Sequence, residues 1–140
     1  MESRYVYGED DRLIDWAEAI VPNGRFRNDA RAIGLERNDV LRAVVVFDTF
    51  SQGDCLVHVA SDGSGRWFDR GFAVHAMAYP FIQLGNRRIS AVISTLNERS
   101  LRFTRHFGGW KEEGRLREAG EDGEDMIVFG MLRRECPLLP

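Results

Sequence analysis

His58 stands inside an apolar run, CLVHVA (Cys55 to Ala60), where an imidazole can take or release a proton near neutral pH. Asp48, near the end of LRAVVVFD, and Asp62, just past the histidine, are alternative proton acceptors. The hexamer that follows, SDGSGR (Ser61 to Arg66), suits a different task. Gly63 and Gly65, flanking Ser64, let the backbone approach a phosphate closely, and Arg66 adds charge. Trp67 stands beside that loop, where an exposed ring can stack on a ligand. A helix starting near Trp67 or Phe68 aims its free N–H groups at an anion. Further on, Asn97 ends an apolar run where a helix begins, and its side chain can cap the N–H of Arg99 or Ser100. His75 and His106 lie among apolar neighbours and read as structural.

These groups need elements to hold them. Leu13, Ile14, Ala17 and Ile20 form a helical stripe over 10–21, with Asp10 or Asp11 as its cap and Pro22-Asn23-Gly24 as its end. Ala30 to Glu36 reads as a strand, Asn38-Asp39 as a turn, and Val40 to Thr49 as a central strand rich in β-branched residues. Cys55 to Ala60 is the next strand. A mostly buried helix is predicted from about Phe68 to Leu84, with Pro80 expected to kink or shorten it. Arg88 to Leu96 is a buried strand. Asn97 to Phe107 is a helix with Ser100, Leu101, Phe103, Thr104 and Phe107 inward, stopped by Gly108-Gly109. Trp110 to Glu118 and Asp125 to Leu132 make a final pair of strands. The sum is an α/β protein: a mixed six- to seven-stranded sheet with helices on both faces.

The totals narrow the classes. A chain of 140 residues, 44% hydrophobic and 29% charged, fits one soluble domain over 1–140. A net charge of −3 argues against phosphate-dominated nucleic-acid binding. No apolar run reaches the roughly 20 residues of a membrane span, and the N-terminus shows no signal segment. Two distant cysteines, Cys55 and Cys136, fit a reduced, cytoplasmic setting and leave no zinc motif. Lys111 is the sole lysine, a bias that a GC-rich genome explains.

The order ISAVISTLN, ERSLRFTRHFGGW, KEEGRLREAG, EDMIVFGMLRREC, from Ile89 to Cys136, resembles the C-terminal half of the GNAT (GCN5-related) N-acetyltransferases. The short N-terminal part is similar to that of small phage and bacterial members. The resemblance implies the acyl-CoA N-acyltransferase fold, with acetyl-CoA as acyl donor and direct attack by a primary amine on a small molecule or a protein. It implies that the backbone of Val59 and Ala60 takes the pantetheine arm, and that Gly63, Ser64, Gly65, Arg66 and Trp67 take the pyrophosphate. Asn97 contacts the cofactor arm with Ser100 alongside, His58 is the general base, and Thr104 stands where the family's acidic tyrosine does, with Ser100 or water as its substitute. Glu113, Gly114 and Arg117 border the acceptor pocket. A homodimer is left open; membrane and nucleic-acid partners are not expected. The phosphate loop departs from the family: Asp62 replaces its Arg or Gln, Gly65 matches its first glycine, and Trp67 replaces its second. With the tyrosine also missing, the competing reading is a non-catalytic binding or structural module on the same fold.

Overall fold

The computed structural model describes residues 3–21, 25–64 and 68–140. One seven-stranded sheet runs through it, built from β1 (Ser3–Val6), β2 (Arg31–Arg37), β3 (Val40–Ser51), β4 (Asp54–Ser61), β5 (Arg88–Ser94), β6 (Lys111–Leu116) and β7 (Met126–Leu132), in the order β1-β2-β3-β4-β5-β7-β6. All neighbours are antiparallel except β4 and β5, which are parallel. Helix α1 (Asp10–Ile20) follows β1, α2 (Arg70–Ala78) crosses from β4 to β5, and α3 (Glu98–Phe107) leads from β5 to β6.

Alternation along the strands divides the core between two faces. Ile33, Leu35, Val45, Phe47 and Val57 pack against Phe72, Ala76 and Met77 of α2. Their neighbours Ala32, Val44, Val46 and Ala60 face Leu13 and Ala17 of α1. Leu101 of α3 joins Ala91, Ile93, Ile127 and Phe129, which lie on the same side of β5 and β7 as Ile89 and Met131 of the α2 cluster. So α2 and α3 share one face and α1 covers the other. The α/β sandwich expected from sequence is the one observed.

Local chemistry accounts for the main joints. Asn38 and Asp39 both have positive φ (53° and 66°), the backbone of a tight two-residue hairpin that Asn and Asp tolerate. Pro80 has no N–H to donate, and after Ala78 the helix widens into a π turn (Tyr79–Gln83) closed by the Leu84 N–H on the Tyr79 carbonyl. Two expectations are corrected. Neither Asp10 nor Asp11 caps α1; Glu9 holds the cap position with no side-chain bond. Asp10 instead accepts the N–H of Ala32 and the guanidinium of Arg31, pinning the helix start to β2. Strand β1 has no counterpart in the sequence reading.

Glu36 is buried in β2 between the guanidinium groups of Arg4 (2.8 Å) and Arg12 (2.5 Å). The hydrogen bond from Arg12, opposed by burial and reinforced by Arg4, holds its carboxyl below the usual range. A depressed carboxyl contributes stability in full above its unfolded value, about 4.3, and loses it as pH falls through the folded value. The melting temperature is therefore expected to fall between pH 5 and pH 3. Glu36→Gln should lower it at pH 7 and flatten that acid limb in a calorimetric pH series.

Candidate active site

The parallel pair β4 and β5 is in register at one position, Leu56 with Ser90, near the start of both strands. Beyond it the strands part, and the backbone of Val59 and Ala60 has no partner on β5. A cleft of about 670 Å³ occupies the split. On the α2/α3 face it is lined by Phe72, Ala76, Asn97, Ser100, Phe103 and Thr104. On the α1 face it is lined by Val21, His58, Val92, Ser94 and Glu124. The cleft is therefore bordered by residues from both faces of the sheet. Val59 borders it and is exposed; Ala60 is buried against α1, so only its backbone can serve a ligand.

His58 lies on the α1 face, half-exposed, with its Nε2 2.8 Å from Oδ1 of Asp48. The ring of Phe26 packs on the imidazole, centroids 5.0 Å apart. Asp48 is buried and also accepts the N–H of Arg27 (3.1 Å) and the hydroxyl of Thr49 (3.3 Å). Burial pushes its carboxyl up, but His58, Arg27 and Thr49 together outweigh burial and leave it below the usual range. Asp48 is thus an ionised partner of His58. Asp62 is engaged elsewhere, paired with Arg42 at 3.0 Å and accepting the N–H of Ser64.

Across the split, Asn97 caps α3 by accepting the Ser100 N–H at 3.2 Å, as its position predicts. Ser100 and the buried Thr104 both line the cleft, so the structure brings His58, Asn97, Ser100 and Thr104 around one space. Phe68, Phe103 and Phe107 form an aromatic cluster at its α2/α3 mouth, with centroids 5.9–6.5 Å apart.

Of the expected phosphate loop, only Gly63 and Ser64 are described. Gly65, Arg66 and Trp67 lie outside the described residues. Helix α2 begins at Arg70, with Asp69 as its cap accepting the Phe72 N–H at 3.0 Å. The same carboxylate also accepts the Tyr5 hydroxyl. The Gly63 N–H meets Ser61 Oγ and the Ser64 N–H meets Asp62, while Arg99 of α3 donates to the Gly63 carbonyl at 3.3 Å. Gly63 and Ser64 therefore form a self-bonded turn bridged to α3, and neither borders the cleft.

The Glu-Gly-x-x-Arg segment is corrected as well. Glu113 forms a two-pronged pair with Arg88 (2.6 and 3.1 Å), and neither Glu113, Gly114 nor Arg117 borders the cleft. That border belongs to the β6–β7 loop, through Ala119, Gly120, Glu121, Asp122 and Glu124, with the Glu124 carboxylate hydrogen-bonded to the Ser94 hydroxyl. The acidic run GEDGED, between two strands of one hairpin, was the available signal. His75 is not buried; its ring packs at a tilt against Tyr5 and it bonds the Tyr7 hydroxyl.

No protein-family model and no curated protein matches the chain. Solved structures do. A chimera of spermidine N-acetyltransferase SpeG from Vibrio cholerae and hSSAT aligns with a TM-score of 0.77 at 15% identity, over 96% of this chain and 98% of that one. SpeG from Vibrio cholerae in complex with manganese ions gives 0.76 at 15% identity, over 94% and 92%. A second SpeG–hSSAT chimera gives 0.66 at 20% identity, over 76% and 68%. The chain has the GNAT N-acetyltransferase fold.

Proposed function

We propose that this protein transfers an acetyl group from acetyl-CoA to a primary amine by direct attack. The observation that carries the reading is the cleft at the split in the sheet, with His58 on one face and Ser100 and Thr104 on the other. Donor and acceptor can enter from opposite sides and meet where β4 and β5 part. Val59 and Ala60 pair with β3 on one edge and have no partner on β5, an arrangement that suits an amide-bearing pantetheine arm, which can pair there like an added strand. Asn97 and Ser100 stand beside that arm's path.

Acetyl-CoA supplies an acyl group activated as a thioester. His58 accepts the proton that an ammonium group must lose before its nitrogen can attack, and the hydroxyls of Ser100 and Thr104 pass a proton to the departing sulfur. Direct attack fits the cysteines: burial, with the charges of Asp54 and Asp48, pushes the Cys55 thiol up to about 12, and burial also raises Cys136. Neither supplies a thiolate to carry the acetyl group. The carboxylates of Glu121, Asp122 and Glu124 favour a cationic acceptor, and polyamine acetylation by the structural neighbours fits that class.

Asp69 at the start of α2 favours the second reading, a non-catalytic module, because its charge opposes a phosphate there. A thermal shift with acetyl-CoA separates the two. At 100 times its Kd a ligand adds about 2.7 kcal/mol, which in a domain of this size raises the melting temperature by roughly 8 °C. No shift at millimolar acetyl-CoA rejects the transfer reading.

A further inference from the structure

We infer that Asp48, set in place by a bulge at Thr49 and Phe50, fixes His58 as its Nε2–H tautomer and makes Nδ1 the atom that takes the acceptor's proton. The catalytic half of this inference rests on the proposed function; the tautomer does not.

The register of the β3–β4 hairpin shows why the bulge matters. Ser51 pairs with Asp54 beside the turn, and a regular ladder continued from there sets Asp48 opposite Val57. Directly opposed residues share a face, so Asp48 would then lie with Val57 on the α2 face, away from His58. The observed ladder slips by one between Asp48 and Ser51, and Asp48 faces Leu56 instead. That slip turns Asp48 onto the α1 face beside His58. It falls across Thr49 and Phe50, which together oppose Cys55, and Thr49 is a β-branched residue at φ 54°, a conformation such side chains seldom adopt. The backbone strain at Thr49 thus has a local product, the Asp48–His58 contact.

Chemistry then selects the nitrogen. An ionised carboxylate only accepts hydrogen bonds, so the 2.8 Å contact requires the proton on His58 Nε2. Asp48 is itself held by the Arg27 N–H and the Thr49 hydroxyl. The imidazole is packed by Phe26, whose N–H is tied to Glu18 of α1. Among the described residues Nδ1 has no hydrogen-bond partner. The other charged groups around the same cleft are Asp69 on its α2 side and Glu121, Asp122 and Glu124 on the β6–β7 loop. Asp48 is therefore a positioning residue: it touches neither donor nor acceptor and acts through the imidazole.

Nitrogen-15 spectra of the histidine side chains, recorded above the imidazole titration, test this. His58→Gln identifies the His58 signals among those of His75 and His106. The parent protein is expected to show protonated Nε2 and unprotonated Nδ1 at His58, with the other tautomer undetected. Asp48→Asn, which can offer either an oxygen or an NH₂ group to the ring, should populate both tautomers. It should also lower kcat at least tenfold while leaving the KM for acetyl-CoA unchanged, as loss of tautomer control does in other histidine bases. A parent protein with the proton on Nδ1 overturns the inference, whether or not Asp48→Asn folds. So does a folded Asp48→Asn protein with parental tautomer and kcat. Because the spectrum is read without turnover, failure of acetyl transfer and failure of the tautomer assignment are separate results.

Discussion

His58→Gln is expected to lower kcat for acetyl transfer roughly 10²- to 10⁴-fold while leaving the KM for acetyl-CoA nearly unchanged. Glutamine keeps an N–H that can reach Asp48 and so preserves the packing, but it cannot accept a proton. The substrate's ammonium must then lose its proton to water. An alkyl ammonium titrates near 10.4, so the reactive fraction grows about tenfold per pH unit below that value. The rate of the variant should climb with that slope between pH 7 and pH 9, and the gap to the parent should narrow. A purely structural role for His58 predicts a loss that pH does not restore. His58 lies on the α1 face with Phe26, away from Asn97 and Ser100, so donor binding is the property least affected. A variant that retains parental kcat at pH 7 removes His58 from the reaction.

Elements with a strong period or a decisive stop were legible in the chain. The continuous apolar runs gave β3 and β5, the Asn97 cap and Gly108-Gly109 bracketed α3, and Pro80 marked the point where α2 changes hydrogen bonding. Strand β1 was not legible because it is four residues long at the sheet edge, with Val6 alone fully buried. The start of α2 was read at Trp67 or Phe68, straight after the turn-like hexamer SDGSGR. The local signal pointed elsewhere: Asp69, three residues before Phe72, is an ordinary helix cap. His58 was visible as a proton acceptor, but its partner was not. Asp48 and His58 come to one face through a one-residue slip, and a polar residue at positive φ near a turn does not announce that slip in sequence. The run GEDGED marked an acidic hairpin loop, but it did not say that the loop borders the cleft beside β5.

The connection that holds α3 against the sheet should be the least tolerant of added volume. Gly109 has φ 86°, and a Cβ there would stand 2.6 Å from the Glu135 carbonyl oxygen, 3.0 Å from Pro137 and 3.1 Å from Met131. The first of these is backbone and cannot rotate away. Gly109→Ala is expected to destabilise by about 2–6 kcal/mol, combining backbone strain of about 1–3 with about 1–3 for forced repacking. Gly108 supplies the control: its φ is also positive, at 91°, but its nearest neighbour to a new Cβ is Pro137 at 3.8 Å. Gly108→Ala should therefore carry the strain alone, about 1–3 kcal/mol. Urea melts of the two variants should differ in midpoint at similar m-values. Equal midpoints would mean that the C-terminal segment yields to the new methyl group, and that the close approach at Glu135 does not set the position of α3. If it does set that position, Gly109→Ala must also disturb the cleft. Phe107 and Trp110 flank the two glycines and both line it, so acetyl-CoA affinity should fall in Gly109→Ala even under conditions where the variant remains folded.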